Sequence, residues 1–113
     1  MSNIGDPELV NQLNDICARL DEGIKLMGKY GRAYAQANHD YKVAVNQQAF
    51  KMRQAGETMT MINMALKGSK EVAPLLFKRD ESETLYEVAK ENINILKLRA
   101  RLLEAQIDRE WKG

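Results

Sequence analysis

The chain has 113 residues, of which 44% are hydrophobic and 29% charged. This is enough for one modest domain, predicted over residues 1–113, and too apolar for a disordered segment. No apolar run reaches the roughly 18 residues of a membrane helix, and the first seven residues lack the basic and apolar regions of a secretory signal. The single cysteine, Cys17, excludes an internal disulfide, so a cytoplasmic location is expected.

Helix-forming residues dominate the chain, and Pro7 and Pro74 are its only prolines. It contains no β-branched runs separated by turn residues, which strands require. The sequence therefore predicts an all-α fold, either a long antiparallel helical hairpin or a three-helix, coiled-coil-like bundle. The helices are expected over about residues 7–55, 59–67 and either 74–111 or 80–111.

The first helix is predicted from its start and from a heptad pattern. Asp6 can cap the helix, and Pro7 suits its first position. Two apolar lines with alternating spacings of three and four share one face. Their members are Leu13, Leu20, Met27, Tyr34 and Tyr41, and Leu9, Ile16, Gly23, Tyr30, Ala37 and Ala44. Because Gly23, Gly28 and Gly31 lie within this pattern, either the helix bends there or another backbone comes close.

A short middle helix is bounded by turn residues. Gly56 is typical of a helix C-terminus and Thr58 of an N-cap, so the helix is expected to run from Met59 to Lys67. The next helix begins either at Pro74 or later, at a capping box of Asp80 with Glu83.

The last helix carries two apolar stripes. The first contains Tyr86, Ala89, Ile93, Leu96, Ala100, Leu103 and Ile107, and the second contains Val88, Ile95, Leu98 and Leu102. One antiparallel partner can cover only one stripe, so the second predicts either three-helix packing or self-association. We expect a homodimer formed through the second stripe. Trp111 is expected to anchor the helix end against the start of the first helix.

The chain offers few candidates for catalysis or metal binding. Cys17 lies 22 residues from the only histidine, His39, a separation of about 33 Å along a straight helix, so the two cannot form a dyad. His39 is expected to be exposed, and Cys17 to be a buried or half-buried helix residue. Glu83, Glu87 and Glu91 share a face but lack a Glu-x-x-His pattern, which favours a solvated face. We therefore predict no catalytic residues, metal ligands or cofactor, and no enzymatic activity.

A basic segment rich in methionine covers residues 51–79. Six basic residues and two acidic ones give it a charge of +4, against −3 for the rest of the chain. Three interpretations remain open: a connector packed against the long helices, a protein-binding tip, or a nucleic-acid contact. The candidate partner-binding residues are Met52, Met59, Met61, Met64, Lys67, Lys70, Lys78 and Arg79.

The second half of the chain contains short motifs in the order Gly56-Glu57-Thr58-Met59-Thr60, Lys67-Gly68-Ser69-Lys70-Glu71-Val72-Ala73, Phe77-Lys78-Arg79-Asp80, Asn94-Ile95-Leu96-Lys97-Leu98 and Ala105-Gln106-Ile107-Asp108-Arg109-Glu110-Trp111. Over residues 50–111 these motifs resemble short, helical, uncharacterised early-region proteins of phages and prophages of Gram-positive bacteria, encoded near recombination and single-strand binding functions. The resemblance implies a phage-encoded accessory protein in a bacterial host and assigns no catalytic residue.

Together these features favour a non-enzymatic helical interaction protein that binds a host or phage protein as an inhibitor or assembly factor. The alternative is a nucleic-acid accessory protein of a phage recombination or replication module, using the basic segment 51–79.

Overall fold

The computed structural model describes residues 7–112, of which 90% are helical, and no strand occurs among them. Helix α1 spans Pro7–Gln54, α2 spans Met59–Ala65 and α3 spans Ala73–Lys112. The predicted all-α fold and its three helices are confirmed, with α2 ending two residues earlier than expected. The predicted cap Asp6 lies outside the described residues. None of the described helices combines the length and apolar character that crossing a membrane requires.

The contacts within the chain fall into two units. Unit 1 comprises Met1–Gly28 and Glu87–Gly113, and unit 2 comprises Lys29–Tyr86. Each unit contains a segment of α1 packed on a segment of α3. In unit 2, Tyr34 of α1 stacks on Tyr86 of α3, and Tyr41 further along α1 lies under Arg79, which is earlier in α3. This reversed order makes the pairing antiparallel, so the helical-hairpin form of the prediction is confirmed.

The core of unit 1 follows the apolar pattern of the sequence. Its buried residues lie on the predicted inner lines of the two helices and are Leu9, Ala89, Ile93, Leu96 and Ala100. The second stripe of α3 faces away from this core. Trp111 was expected to anchor the helix end, but it is 58% exposed. The expectation was wrong because the register that sets Gly23 opposite Ile93 carries Trp111 beyond Pro7 at the start of α1.

Unit 2 has an apolar core formed by residues of α1 and α2 and by the residue just before α3. Ala37 and Tyr41 of α1 and Ile62 of α2 are buried, and Val72 just before α3 has no exposed surface. Ile62 is the buried residue of α2, at 2% exposure, so one side chain ties this short helix to its unit.

Helix α1 is continuous through its three glycines. Of the two alternatives, the close approach of another backbone is wrong at Gly23 and Gly31, where side chains of α3 approach instead. A Cβ at Gly23 would lie 3.4 Å from Ile93 Cγ1, and one at Gly31 would lie 3.2 Å from Tyr86 Cε1. Glycine therefore gives the side chains of α3 room to pack at these two positions.

These distances predict different effects of two alanine substitutions. We expect Gly23→Ala to raise the free energy of unfolding by about 0.5–1 kcal/mol, because alanine is the better helix former and its methyl group fits an ordinary contact. Gly31→Ala should gain less or be destabilising, because the Tyr86 ring that must yield is stacked on Tyr34 at 6.2 Å. Urea unfolding of both variants tests this, and a larger gain for Gly31→Ala would contradict it.

The end of α1 is closed by a glycine motif. Gly56 has a φ of 87°, and its N–H donates to the Arg53 carbonyl at 3.0 Å. The Glu57 N–H donates to the Met52 carbonyl at 3.1 Å, which completes a Schellman motif. The predicted helix end at Gly56 is confirmed.

The start of α2 is capped as predicted. The Thr58 hydroxyl accepts a hydrogen bond from the Met61 N–H at 3.3 Å. A well-defined cap lets a helix of only seven residues form between two longer ones.

Helix α3 starts earlier than the capping-box interpretation requires. It begins at Ala73, so Asp80 lies inside the helix, and the capping box of Asp80 with Glu83 was wrong. The Asp80 carboxylate instead accepts hydrogen bonds from Arg79 at 2.9 and 3.1 Å. The Val72 N–H, just before the helix, donates to the Ser69 hydroxyl at 3.3 Å.

Candidate interaction surfaces

The second stripe of α3 is exposed in unit 1. Its four residues are between 42% and 61% exposed, so neither α1 nor another described segment covers them. We call Val88, Ile95, Leu98 and Leu102 the α3 stripe. The sequence offered two explanations for this stripe, packing in a three-helix arrangement and self-association. In the described residues no third helix packs on it, so self-association remains a prediction.

Helix α2 presents most of its methionines to solvent. Met59, Met61 and Met64 are 53–75% exposed, whereas Met52 in the last turn of α1 is half-buried. Met61 and Met64 are neighbours three residues apart on the side of α2 away from Ile62. We call Met59, Met61 and Met64 the methionine surface. The interpretation of these three as a packed connector is therefore wrong, because Ile62 fills the inward position of so short a helix.

Several cations of the basic segment are exposed, and one of them contacts the methionine surface. The guanidinium of Arg53 reaches Met59, with 3.8 Å between Nη2 and Sδ. Lys51, Lys67 and Lys70 are exposed, and they form no ion pair among the residues that the structure describes. Their charges remain available to a binding partner.

Two predicted contact residues are already engaged within the protein. Lys78 pairs with Glu81 at 3.7 Å, and Arg79 lies 4.6 Å above the centre of the Tyr41 ring. The hydrogen bond from Arg79 to Asp80, together with that carboxylate's charge, raises the pKa of Arg79. Arg79 therefore links α3 to α1 in unit 2 and is poorly placed as a free contact for another molecule.

Phe77 lines a shallow depression in unit 2. This depression has a volume of about 370 Å³ and is lined by Phe77, Asp80, Glu81, Thr84 and Leu85, which all belong to α3. The two carboxylates at its edge make it an unfavourable seat for a nucleic-acid base with its phosphate.

The histidine and the cysteine that the sequence analysis considered are both exposed. His39 is exposed, as expected, and Cys17 is exposed rather than buried or half-buried. The prediction for Cys17 was wrong because its position lies outside the two apolar lines of α1, so α3 does not cover it. Among residues 7–112, no three His, Cys, Asp or Glu side chains are grouped in a way that could hold a metal ion.

Comparison with protein-family models, curated proteins and solved structures finds no match to this chain. The candidate surfaces therefore depend on the residues and geometry described above. Sequence reasoning identified the α3 stripe and the methionines but missed the exposed Phe50 at the end of α1. Phe50 lies outside the two apolar lines of α1, as Cys17 does, and that position is the sequence signal that could have indicated its exposure.

Proposed function

We propose that this is a non-enzymatic helical protein that binds another protein through the methionine surface and associates with a second copy through the α3 stripe. The observation that carries the first part is the exposure of Met59, Met61 and Met64 on a helix held by Ile62. Flexible, polarisable methionines on a surface suit partners whose shape varies. Neighbouring exposed apolar side chains, such as Met61 and Met64, mark interaction sites more often than isolated ones do.

The biological setting is part of the same proposal. The resemblance of residues 50–111 to early-region phage proteins supports a phage-encoded accessory protein acting in the cytoplasm of a bacterial host. Its partner is then a host or phage protein, which it inhibits or helps to assemble. A surface with both apolar and cationic groups suits a partner segment that has apolar side chains and some negative charge.

Self-association follows from the energetics of the α3 stripe. Burying a Val, Ile or Leu side chain completely stabilises by about 1.5–3 kcal/mol, and these four are already about half covered. Eight such side chains in a symmetric dimer would contribute roughly 6–12 kcal/mol. Association itself costs about 4–15 kcal/mol, so at the favourable end of both ranges the net gain is about 8 kcal/mol, which corresponds to the micromolar dissociation constant that we expect.

A nucleic-acid accessory function is the second candidate. The observation that favours it is the exposure of Lys51, next to the exposed Phe50 in α1, and of Lys67 and Lys70, none of which forms an ion pair among residues 7–112. Aromatic rings and phosphate-binding cations are the elements of single-strand binding. Against it, Lys78 and Arg79 form ion pairs within the protein, so fewer cations are available for phosphate contacts than the sequence predicted.

The two candidates differ in which substitutions abolish binding. We expect Met61→Ser with Met64→Ser to weaken partner binding about 30-fold, because two apolar contacts are lost, and Lys67→Gln with Lys70→Gln to weaken it less than about threefold. Affinity capture from a bacterial host lysate, followed by titration of the purified partner at several salt concentrations, provides the measurement. Met61→Leu with Met64→Leu is the control, since it keeps the apolar volume and should keep binding.

The opposite pattern would support nucleic acid. Submicromolar binding of a single-stranded oligonucleotide at physiological salt, lost in the lysine variant and kept in the methionine variant, would contradict protein binding by apolar contact. Its affinity would also fall steeply with salt, because each phosphate contact releases counterions. Arg79 is left unchanged in these variants, since its contact with Tyr41 is internal.

A further inference from the structure

We propose that the methionine surface is a redox switch, in which peroxide oxidises Met61 and Met64 to sulfoxides and so weakens partner binding while the fold stays intact. The switch rests on the proposed function, because it regulates the same surface. A sulfoxide is polar, so it cannot replace a thioether in an apolar contact without a loss of affinity. Methionine sulfoxide reductases restore the thioether, so the change is reversible.

The methionines of the chain differ in their access to an oxidant. The three that form the methionine surface are 53–75% exposed, and Met64 is the most exposed of the large hydrophobic residues that the structure describes. Met27 and Met52 are half-buried, and Met1 lies outside the described residues. Because oxidation of a sulfur-containing side chain follows its exposure, a limited dose of peroxide reacts first at the methionine surface.

Oxidation at this surface does not disturb the cores of the two units. Among residues 7–112, no buried side chain is a methionine. Helix α2 is held by Ile62, whose hydrocarbon side chain does not react with peroxide, and its start is capped by the Thr58 hydroxyl. Met61 and Met64 lie on the side of α2 away from Ile62, so an added oxygen atom there meets water rather than a packed neighbour.

The reaction balances with hydrogen peroxide as the oxidant. A lone pair of the Sδ atom attacks one oxygen of the peroxide, so that an S–O bond forms and the O–O bond breaks. The departing hydroxide takes the proton of the transferred oxygen and leaves as water. The sulfur thereby loses two electrons, which the peroxide gains. In the reverse direction a dithiol of the reductase becomes a disulfide, and the oxygen leaves as water.

Arg53 makes Met59 the slowest of the three surface methionines to react. Met59 and Met61 are similarly exposed, at 57% and 53%. The Nη2 of Arg53 donates to the Sδ of Met59 at 3.8 Å, and it draws electron density from the lone pairs that attack the peroxide. We therefore expect Met59 to be oxidised about threefold more slowly than Met61, and Arg53→Ala to remove this difference.

Mild oxidation of the Cys17→Ser protein tests the switch. This substitution removes the exposed thiol, which also reacts with peroxide. Peptide mass mapping over time should show Met61 and Met64 oxidised about fivefold faster than Met27 and Met52. Circular dichroism should show unchanged helix content at that stage. The oxidised protein should also elute earlier from a phenyl resin, which measures exposed apolar groups without a binding partner.

Partner binding provides the second measurement. Oxidation should weaken binding of the purified partner about 30-fold, as expected for Met61→Ser with Met64→Ser, and a methionine sulfoxide reductase with dithiothreitol should restore it. The matched control carries Met59→Leu, Met61→Leu and Met64→Leu together, since it keeps the apolar volume without a thioether. Peroxide should change neither its elution nor its partner binding.

The outcomes separate the switch from the proposed function. The switch is wrong if Met27 or Met52 is oxidised as fast as Met61 and Met64, if helix content falls when only these two are oxidised, or if elution from the phenyl resin does not change. If the oxidised protein binds the partner as tightly as the reduced protein, while Met61→Ser with Met64→Ser weakens binding, the switch is wrong and the proposed function stands. If that double variant also binds as tightly, both are wrong.

Discussion

Leu98→Glu is expected to convert the protein from a dimer to a monomer of 12.9 kDa. Leu98 lies in the middle of the α3 stripe and is 54% exposed within one copy. In the symmetric dimer the substitution removes two apolar contacts and places two carboxylates where water is excluded. We expect the dissociation constant to rise at least 100-fold, which corresponds to about 2.7 kcal/mol. Sedimentation equilibrium over a range from one to several hundred micromolar provides the measurement.

The control for this prediction is Lys97→Glu, the adjacent residue on α3. It also introduces a carboxylate at an exposed helix position, but outside the stripe, so the dimer should persist. The helix content of both variants should remain that of the original protein, because neither side chain is buried in unit 1. An unchanged dissociation constant for Leu98→Glu would rule out the stripe as the contact.

Ile93→Ala is expected to give a large loss of stability, about 2–5 kcal/mol in the free energy of unfolding. Ile93 is only 4% exposed in the core of unit 1, and its Cγ1 lies in the space opposite Gly23. Removal of its side chain loses the transfer free energy and leaves a cavity that a rigid helix pair fills poorly. Chemical unfolding followed by circular dichroism provides the measurement, and the loss should not depend on protein concentration.

Ile95→Ala is the natural comparison, since it removes the same atoms from the same helix two residues away. Ile95 is 42% exposed in one copy. The loss of stability caused by Ile95→Ala should therefore be smaller than that caused by Ile93→Ala when the protein is dilute and monomeric. If it lies in the dimer contact, its effect should grow as the protein concentration rises, because dimerisation adds to apparent stability by mass action. Equal effects of the two substitutions at low concentration would contradict the assignment of inner and outer faces.

Much of the architecture follows from local sequence. Gly56 with its positive φ and Thr58 with its side-chain cap mark the ends of α1 and α2, because the chemistry of a helix terminus involves only a few neighbouring residues. The inner stripe of α3, including Ile93 and Leu96, follows from helical periodicity. Capping was misleading at Asp80, because Ala73 had already begun the helix and continued helix formation costs little once started.

The candidate surfaces were only partly predictable. The sequence indicated that Met59, Met61 and Met64 belong to a contact segment, but not whether they face the protein or the solvent. The burial of Ile62 decides this, because it fixes which side of α2 faces the rest of the unit. Similarly, the sequence analysis listed Arg79 among the cations available to a partner. Only the structure shows that Arg79 contacts Tyr41, which lies 38 positions earlier in the chain.

By itself, then, the sequence determined the three helices, the end of α1 at Gly56, the cap of α2 at Thr58 and the two apolar faces of α3, because these depend on spacings within a few turns. The tertiary structure decided which of the apolar groups are covered. It places Ile93 opposite Gly23 and leaves Leu98 exposed. Cys17 and Trp111 are also exposed, although burial was expected. Arg79 contacts Asp80 and Tyr41. Burial and charge pairing depend on which distant residue lies opposite, and local periodicity contains no information about that neighbour.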